Sequence, residues 1–296
     1  MLEILDARCR GNEHIKTNKP LQDYSGSKLD KQRKTAYILV ADGHGGEKYF
    51  RSDVGSYLAV YCSIEAMNTV LTELFSYIKR KDTTVINKTL QNLCSRILVL
   101  WRDKVKEHFS KNPLTETEKK LCDELKIELP LTDDSIFPLY GSTLLASAYF
   151  ENYDFWFSLQ IGDGKTIAMK TDNTLFYPIP EDNEMGFGVT ASLCGSNAIE
   201  KFYYNFGFDK LNYIYVMSDG MADSFDTTKL PDFLLNIKNN AIVDIEKTKA
   251  ELIDYLPKLS EQGSGDDISI AGIFVKEDKS NKSFLNALFT RKNKEI

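Results

Sequence analysis

Residues 37–46 read Tyr37-Ile38-Leu39-Val40-Ala41-Asp42-Gly43-His44-Gly45-Gly46, an apolar run that passes directly into a glycine-rich tail. The apolar, partly β-branched residues predict a buried strand, and the glycines allow the backbone to turn sharply where that strand ends. Asp42 and a neighbouring carbonyl can then face the same point, and these hard oxygen ligands suit Mg²⁺ or Mn²⁺ rather than zinc. The pattern also fits a plain turn in which Asp42 bonds its own backbone. Whether Asp42 belongs to a metal site or to a plain turn depends on whether other parts of the chain supply matching carboxylates.

The composition is that of an ordinary globular protein. The chain has 296 residues, of which 42% are hydrophobic and 27% charged, and this length is enough to bury a core. The net charge is -6 and the pI is near 5.3, which argues against nucleic acid as the main partner.

The cysteines and the first residues indicate the cellular compartment in which we expect the protein. The five cysteines form no C-x-x-C pair, which suits a reducing environment, and the three histidines lie too far from one another to suggest zinc. The acidic start at residues 1–6 does not resemble a signal peptide, and no apolar run approaches the ~20 residues of a membrane span. We therefore expect a cytoplasmic protein with no membrane partner.

The first half of the chain changes from strands to helices. Strand-like segments cover residues 2–10 and about 22–41, interrupted by polar loops at 11–18 and 26–34. From 47 to 110 the apolar residues recur with a helical period, in two long helices divided near residue 82. Thr115 opens a capping box, which predicts a shorter third helix within a connecting segment at 110–138.

The second half returns to strands. They are predicted at 142–150, 155–161, 166–170 and 175–178, with an antiparallel meander as the simplest arrangement, and again at 213–217 and 268–275. Helices are predicted at about 229–237 and 243–259.

These elements together predict an α+β fold, a four-layer α-β-β-α sandwich of two mainly antiparallel sheets flanked by helices. We expect one domain over residues 1–275, with a helical segment at about 47–138. The basic tail at 276–296 would be an arm or a short docking helix.

Further acidic residues stand beside glycines at predicted strand boundaries. They are Asp163, Asp219 with Asp223, and the pair Asp266-Asp267. Each also fits a plain role: Asp163-Gly164 a hairpin turn, Asp219-Gly220 a turn, Asp223 a helix cap, and Asp266 the start of a strand. Several carboxylates on rigid supports are, however, what a Mg²⁺ or Mn²⁺ site with more than one ion requires.

The order of these elements resembles the metal-dependent serine/threonine protein phosphatases of the 2C type, in a divergent bacterial-like branch. The resemblance rests on Asp42-Gly43-His44-Gly45-Gly46, Gly141-Ser142-Thr143, Gly162-Asp163-Gly164, Ser218-Asp219-Gly220 with Asp223, and Asp266-Asp267-Ile268-Ser269. It spans nearly the whole chain.

The resemblance implies the site. Asp42 would bridge two Mg²⁺ or Mn²⁺ ions, the Gly43 carbonyl would bind one, and Asp219 and Asp266 would bind the other. Gln22-Asp23 matches the early acidic pair of the family, which makes Asp23 a direct or water-mediated ligand. Asp163 and Asp223 match a weaker third metal site.

The mechanism would follow from chemistry at two metals. Two cations ~4 Å apart lower the pKa of a bridging water, so that hydroxide can attack phosphorus at neutral pH. His44 is the candidate general acid for the leaving alkoxide, and it would need a carboxylate nearby to stay protonated beside cations.

The chain also departs from the family pattern. Asn18 stands where the family has a phosphate-binding arginine, and His14, Lys16 or Lys19 would have to substitute, His14 being the residue we select. Gln22 replaces a carboxylate, and Asp267 replaces the usual asparagine.

The expected function is therefore hydrolysis of phosphoserine and phosphothreonine in proteins, with a cognate kinase as a further partner. A pseudophosphatase scaffold or regulator-binding module with the same fold is the alternative, and a small phosphorylated molecule as substrate is a third interpretation.

Overall fold

The computed structural model describes residues 1–180, 190–226 and 228–276. The predicted basic tail at 276–296 lies outside these ranges except for Lys276. Part of the segment between the predicted strands at 175–178 and 213–217 lies outside them as well.

Ten strands within these ranges form two five-stranded antiparallel sheets. In chain order they are β1 (Leu2–Cys9), β2 (Tyr24–Asp30), β3 (Thr35–Ala41), β4 (Leu144–Phe150), β5 (Phe155–Ile161), β6 (Lys165–Lys170), β7 (Leu175–Phe176), β8 (Tyr203–Phe208), β9 (Leu211–Met217) and β10 (Ile268–Val275). The first sheet has the order β1-β10-β9-β6-β7 and the second the order β2-β3-β4-β5-β8. In the first sheet, β1 and β10 pair over their whole length, from Leu2 opposite Val275 to Cys9 opposite Ile268.

Helices cover both sheets. They are α1 (Asn12–Lys16), α2 (Ser52–Arg80), α3 (Thr83–Lys111), α4 (Glu116–Glu124), α5 (Asp133–Ile136), α6 (Asp219–Ala222), α7 (Leu230–Ala241) and α8 (Ile245–Gln262). None of the helices in the described ranges combines the length and the hydropathy that a membrane crossing needs.

The alternation of side chains along β3 shows how the layers form. Ile38 and Val40 point into the apolar layer between the sheets, where they join Ile214 and Ile273 of the first sheet. Leu39, between them, points to the opposite face. All seven residues of β3 are buried, because this strand is covered on both faces.

The outer faces of the two sheets pack against different helices. Residues of α2 and α3, including Met67 and Trp101, form one apolar layer with the second sheet. Leu234 of α7 and Leu256 of α8 form another with the first sheet. The predicted α-β-β-α order of layers is therefore confirmed, with a core on each side of both sheets.

Several local predictions were wrong. Strands β4, β5, β6 and β7 do not form one meander, because β5 and β6 belong to different sheets and residues 162–164 cross between them. The predicted loop at 11–18 contains the short helix α1, and most of the predicted loop at 26–34 continues β2. Strand β8 was not predicted, since it is an edge strand with no strongly buried face.

Candidate functional site

The acidic residues singled out in the sequence lie at one end of the two sheets. Asp42 directly follows β3, and Tyr24 of β2 pairs with Ala41, so Asp23 is at the same end. In the other sheet Ile270 of β10 pairs with Met217 of β9, which brings Asp219 to the end where Asp266 and Asp267 precede β10. Antiparallel pairing thus gathers residues that are far apart in the chain.

Asp42 and Asp219 form the centre of this group. Their carboxyl groups contact each other as hydrogen-bond partners, and Asp23 and Asp266 lie close enough to act on Asp42 electrostatically. Burial is the largest cause that raises the pKa of Asp42 well above its usual range, and the charges of Asp23 and Asp219 raise it further. The pKa of Asp219 is raised for the same reason, burial, with further contributions from Asp163 and Asp266.

Asp23 is one of the two most deeply buried carboxyls of the group, with 3% of its surface exposed, as is Asp267. Its Oδ2 accepts a hydrogen bond of 2.6 Å from the Ser269 hydroxyl. Burial raises its pKa from 3.8 to about 8, although hydrogen bonds from Ser269 and Ser218 act in the opposite direction. The protein itself therefore offsets little of the negative charge at this position.

The Gly43 backbone is fixed by close packing. Its N–H donates to the Gln22 carbonyl at 3.1 Å, and a Cβ at this position would lie 2.6 Å from the carbonyl oxygens of Gln22 and Ser52. Gly43 also forms an isolated bridge with Ser142. The hydrogen bonds of this bridge, His44 N–H to Gly141 and Thr143 N–H to Asp42, leave the Gly43 carbonyl out of the pairing.

Asp267 has a structural role that sequence reasoning missed. Its two carboxylate oxygens accept the backbone N–H groups of Gly11 and Gln22, each at 2.6 Å. Its Oδ1 also lies 2.9 Å from Nδ1 of His14. The buried carboxylate therefore attaches residues 11–22 to the start of β10, a function that an asparagine, with one carbonyl oxygen, performs less completely. No local sequence signal indicates this, because the partners are about 250 residues away.

His14 lies beside the acidic group. It is 8% exposed, and its Nε2 is 3.6 Å from Oδ1 of Asp266, which is itself half-exposed. Among the described residues, one set of three side chains offers ligand atoms all within 4.8 Å of one another, namely His14, Asp266 and Asp267. The contact with Asp267 raises the pKa of His14, and burial lowers it by less. Because the Asp267 oxygens already accept backbone N–H groups, these three side chains do not form an open metal-binding site.

His44 follows Gly43 and rests against Tyr49, with ring centroids 4.7 Å apart. Burial lowers its pKa, and the charge of Asp163 acts in the opposite direction. From the sequence we expect a carboxylate near His44 without identifying it. Asp163 is that carboxylate, since its charge favours a protonated His44.

The two residues expected at a third metal site differ in placement. Asp163 follows β5, acts electrostatically on Asp219, and accepts a hydrogen bond of 2.6 Å from the Thr190 hydroxyl. Asp223 is exposed, and its N–H donates to the Asp219 carbonyl at 2.7 Å. The described contacts therefore connect Asp163, but not the Asp223 carboxyl, to the acidic group.

Gln22 occupies the position of the missing carboxylate. Its side-chain amide donates to the His44 carbonyl at 3.1 Å and to the Ser52 hydroxyl. Its Oε1 is buried and, within the described part of the chain, receives no hydrogen bond. A buried acceptor without a donor is costly, and a cation or its water shell would satisfy it.

The donor set as a whole suits hard divalent cations. Within the described ranges, carboxylates, the Gly43 backbone carbonyl and the Gln22 amide oxygen lie at this end of the sheets, and such oxygens are the ligands that these cations prefer. The raised pKa values arise first from burial and then from repulsion between neighbouring carboxyl groups, and a bound cation would offset both.

One family model matches most of the chain. The model of the family described as Protein phosphatase 2C matches residues 10–256. Among curated proteins, none matches this chain.

Solved structures show the same fold at low identity. The catalytic domain of the serine/threonine protein phosphatase PstP, in complex with two manganese ions, is 14% identical with a TM-score of 0.54, over 93% of this chain and 99% of that one. PppA, a regulatory component of the type VI secretion system of Pseudomonas aeruginosa, is 15% identical with a TM-score of 0.54, over 92% and 97%. The serine/threonine phosphatase of S. agalactiae is 15% identical with a TM-score of 0.50, over 93% and 100%.

The raised pKa of Asp23 predicts how stability depends on pH in protein freed of divalent cations. Between pH 4 and pH 8, approximately, folded Asp23 keeps a proton that the unfolded chain releases. Stability should therefore fall as the pH rises through this window, by up to about 1.4 kcal/mol per pH unit from this group. Urea unfolding in EDTA at several pH values measures the slope.

Asp23→Asn should flatten that slope, because the amide does not titrate. The exposed Asp254 on α8 provides the control, since Asp254→Asn should leave it unchanged. An unaltered slope in Asp23→Asn would contradict the interpretation.

Proposed function

Because the chain belongs to the protein phosphatase 2C family, we propose that it is a metal-dependent protein phosphatase that hydrolyses phosphoserine and phosphothreonine. One observation carries the proposal: Asp42, which follows β3 of one sheet, and Asp219, which follows β9 of the other, contact each other among further carboxyl groups. A purely structural role does not account for this arrangement, because gathering buried carboxylates without cations costs folding free energy.

The residues fit two Mg²⁺ or Mn²⁺ ions. Asp42 would bridge them, since it contacts Asp219 and lies in the field of both Asp23 and Asp266. The Gly43 carbonyl would bind one ion, and Asp219 and Asp266 the other. Asp23 would act directly or through a water, and Asp163, with Asp219 and Asp223, would hold a weaker third ion. When bound, the ions supply an activated water and offset negative charge on the phosphoryl group.

His44 is the proposed general acid. A serine or threonine alkoxide is a basic leaving group, so a proton must reach it as the bond to phosphorus breaks. His44 lies one residue from the Gly43 ligand, and the charge of Asp163 opposes the effect of burial on its pKa.

His14 is the proposed phosphate-binding residue in place of the family arginine. Of the three cationic candidates, Lys16 pairs with Glu13 at 2.6 Å and Lys19 donates to the Gly45 carbonyl at 2.7 Å. His14 is held by Asp267 with its Nε2 on the side of Asp266. A protonated imidazole in this place can donate to a phosphoryl oxygen.

The wider proposals follow from the family. A phosphorylated protein would be the substrate, a Ser/Thr kinase would supply it, and residues 1–275 would act as one domain. All five cysteines are free, and a cytoplasmic location stays our sequence-based prediction.

A scaffold that retains the fold without turnover is the second candidate. It is favoured by Gln22 and Asn18, which stand where a metal ligand and a phosphate ligand are expected. Calorimetric titration with Mn²⁺ separates the two, since a scaffold need not bind two ions.

The first test is metal-dependent turnover. We expect Mn²⁺-stimulated hydrolysis of a phosphothreonine peptide, and loss of at least about 100-fold in kcat in Asp42→Asn, which corresponds to about 2.7 kcal/mol of transition-state stabilisation. Asp254→Asn should retain full activity. A wild-type protein that binds Mn²⁺ but shows no stimulated turnover on peptides or on p-nitrophenyl phosphate would refute the enzyme and leave the scaffold.

The second test concerns His44. His44→Gln should lower kcat on a phosphothreonine peptide by about 10²- to 10⁴-fold. The loss should be much smaller on p-nitrophenyl phosphate, because p-nitrophenolate leaves without needing a proton. Equal losses on the two substrates would exclude a general-acid role.

The third test concerns His14. His14→Gln should raise KM for a phosphopeptide about tenfold, because a charge-assisted hydrogen bond to phosphate is lost. Lys16→Gln, on the same helix, should change KM little. If calorimetry shows instead that His14→Gln weakens Mn²⁺ binding while KM is preserved, His14 serves the metal and not the phosphate.

A further inference from the structure

Arg51 is a buried cation outside the metal site. It immediately precedes α2 and is 7% exposed. All five N–H donors of its guanidinium are satisfied: Nε and Nη2 by the two carboxylate oxygens of Glu118, at 2.7 and 2.9 Å, Nη1 by the Asn112 carbonyl and the Tyr140 hydroxyl, and Nη2 also by the Pro113 carbonyl. A bidentate, fully donated arginine of this kind fixes both distance and orientation.

The partners of Arg51 come from the helical segment. Asn112 caps the C-terminal end of α3, and Glu118 lies in the first turn of α4, where it also completes the capping box with Thr115. Arg51 lowers the pKa of Glu118 to about 2, so the carboxylate is ionised at neutral pH. The end of α3 and the start of α4 are therefore attached to the start of α2 through one guanidinium.

Tyr140 connects this network to the site. Its hydroxyl accepts from Arg51 at 2.9 Å and contacts His108 Nδ1 at 2.8 Å. The Tyr140 backbone is fixed as well, because its carbonyl lies so close to Gly55 that a Cβ there would approach it to 1.9 Å. The Leu139 carbonyl accepts from the Arg51 N–H at 2.9 Å.

Gly141, the residue after Tyr140, directly supports residues 42–44. The Gly141 carbonyl accepts the His44 N–H at 3.1 Å, and a Cβ on Gly141 would meet the His44 ring at 2.6 Å. Two residues further on, Thr143 binds Asp42 from both sides: its N–H donates to the Asp42 carbonyl, and its hydroxyl accepts the Asp42 N–H. Residues 140–143 thus support Asp42 and His44 from one side, and we call this segment the wall.

We propose that Arg51 is a positioning residue which, through Glu118 and Tyr140, holds the wall 140–143 against residues 42–44 and so makes turnover depend on the α3–α4 segment. The inference rests on the proposed function, since it concerns the placement of the proposed bridging ligand and general acid. Displacements of about 1 Å at reacting groups reduce rates by as much as about 10²-fold. A network that sets this placement therefore affects kcat more than substrate binding.

Two mild variants test the proposal, because Arg51→Met itself risks failing to fold. Glu118→Gln removes the charge of the main partner and keeps its shape, and Tyr140→Phe removes only the hydroxyl. Both should lower kcat at saturating Mn²⁺ by about tenfold or more, within the range that misplacement causes, with KM nearly unchanged. Asp209→Asn is the matched control, since Asp209 is a part-buried carboxylate paired with Lys170 and Trp156, outside the site.

Hydrogen exchange supplies a measurement that does not need activity. Amide exchange of residues 42–44 and 140–143 should accelerate in Glu118→Gln and Tyr140→Phe and stay unchanged in Asp209→Asn. The proposal is overturned if exchange in these segments is unaltered, or if kcat stays within about twofold of wild type in both variants, well short of the expected misplacement effect. An equal fall of kcat in Asp209→Asn also overturns it. If the wild-type protein shows no turnover, the proposed function has failed, and exchange alone then decides the inference.

Discussion

Repulsion between buried carboxyl groups is the constraint on which the rest of this structure depends. Asp23, Asp42 and Asp219 lose most of their hydration, which is the largest cause of their raised pKa values, and the charges of Asp23 and Asp219 also repel that of Asp42. A flexible chain would relieve this repulsion by moving the groups apart. Here they are held at the ends of paired strands, of which β3 and β9 are largely buried, and that rigidity turns an unfavourable concentration of charge into a site suited to divalent cations.

The supports of the site are as informative as its ligands. Asp267 receives two backbone N–H groups from residues 11–22, Thr143 binds Asp42 through both backbone and side chain, and Gln22 connects the His44 carbonyl to the start of α2. Each of these residues orients a neighbour and has no need to contact a substrate. Placement of the residues in the acidic group is therefore distributed over both sheets and the helical segment.

The part of the site that could be predicted from sequence is local. The apolar run at 37–41 followed by glycines identifies a strand end with a carboxylate, and the spacing of further Asp-Gly pairs predicts others. The sheet change between β5 and β6 could not be predicted, because a short Gly-Asp-Gly connection fits a hairpin equally well. The supporting roles of Asp267 and Arg51 were also not predicted, because their hydrogen-bond partners lie at distant positions that no local pattern specifies. The resemblance to a known family indicated which acidic residues are candidate metal ligands. Only the structure shows which residues contact and orient them.

The pairing of β1 with β10 has a consequence for biosynthesis. The first strand of the chain lies beside the last one described, and Asp266 and Asp267 stand at the entrance to that last strand. A nascent chain that has left the ribosome only as far as α8 lacks the central neighbour of both β1 and β9, so the first sheet is split in two. Such a chain also lacks the carboxylate that anchors residues 11–22. The acidic group is therefore completed only after β10 has been translated, and fragments that end with α8 lack Asp266 and Asp267.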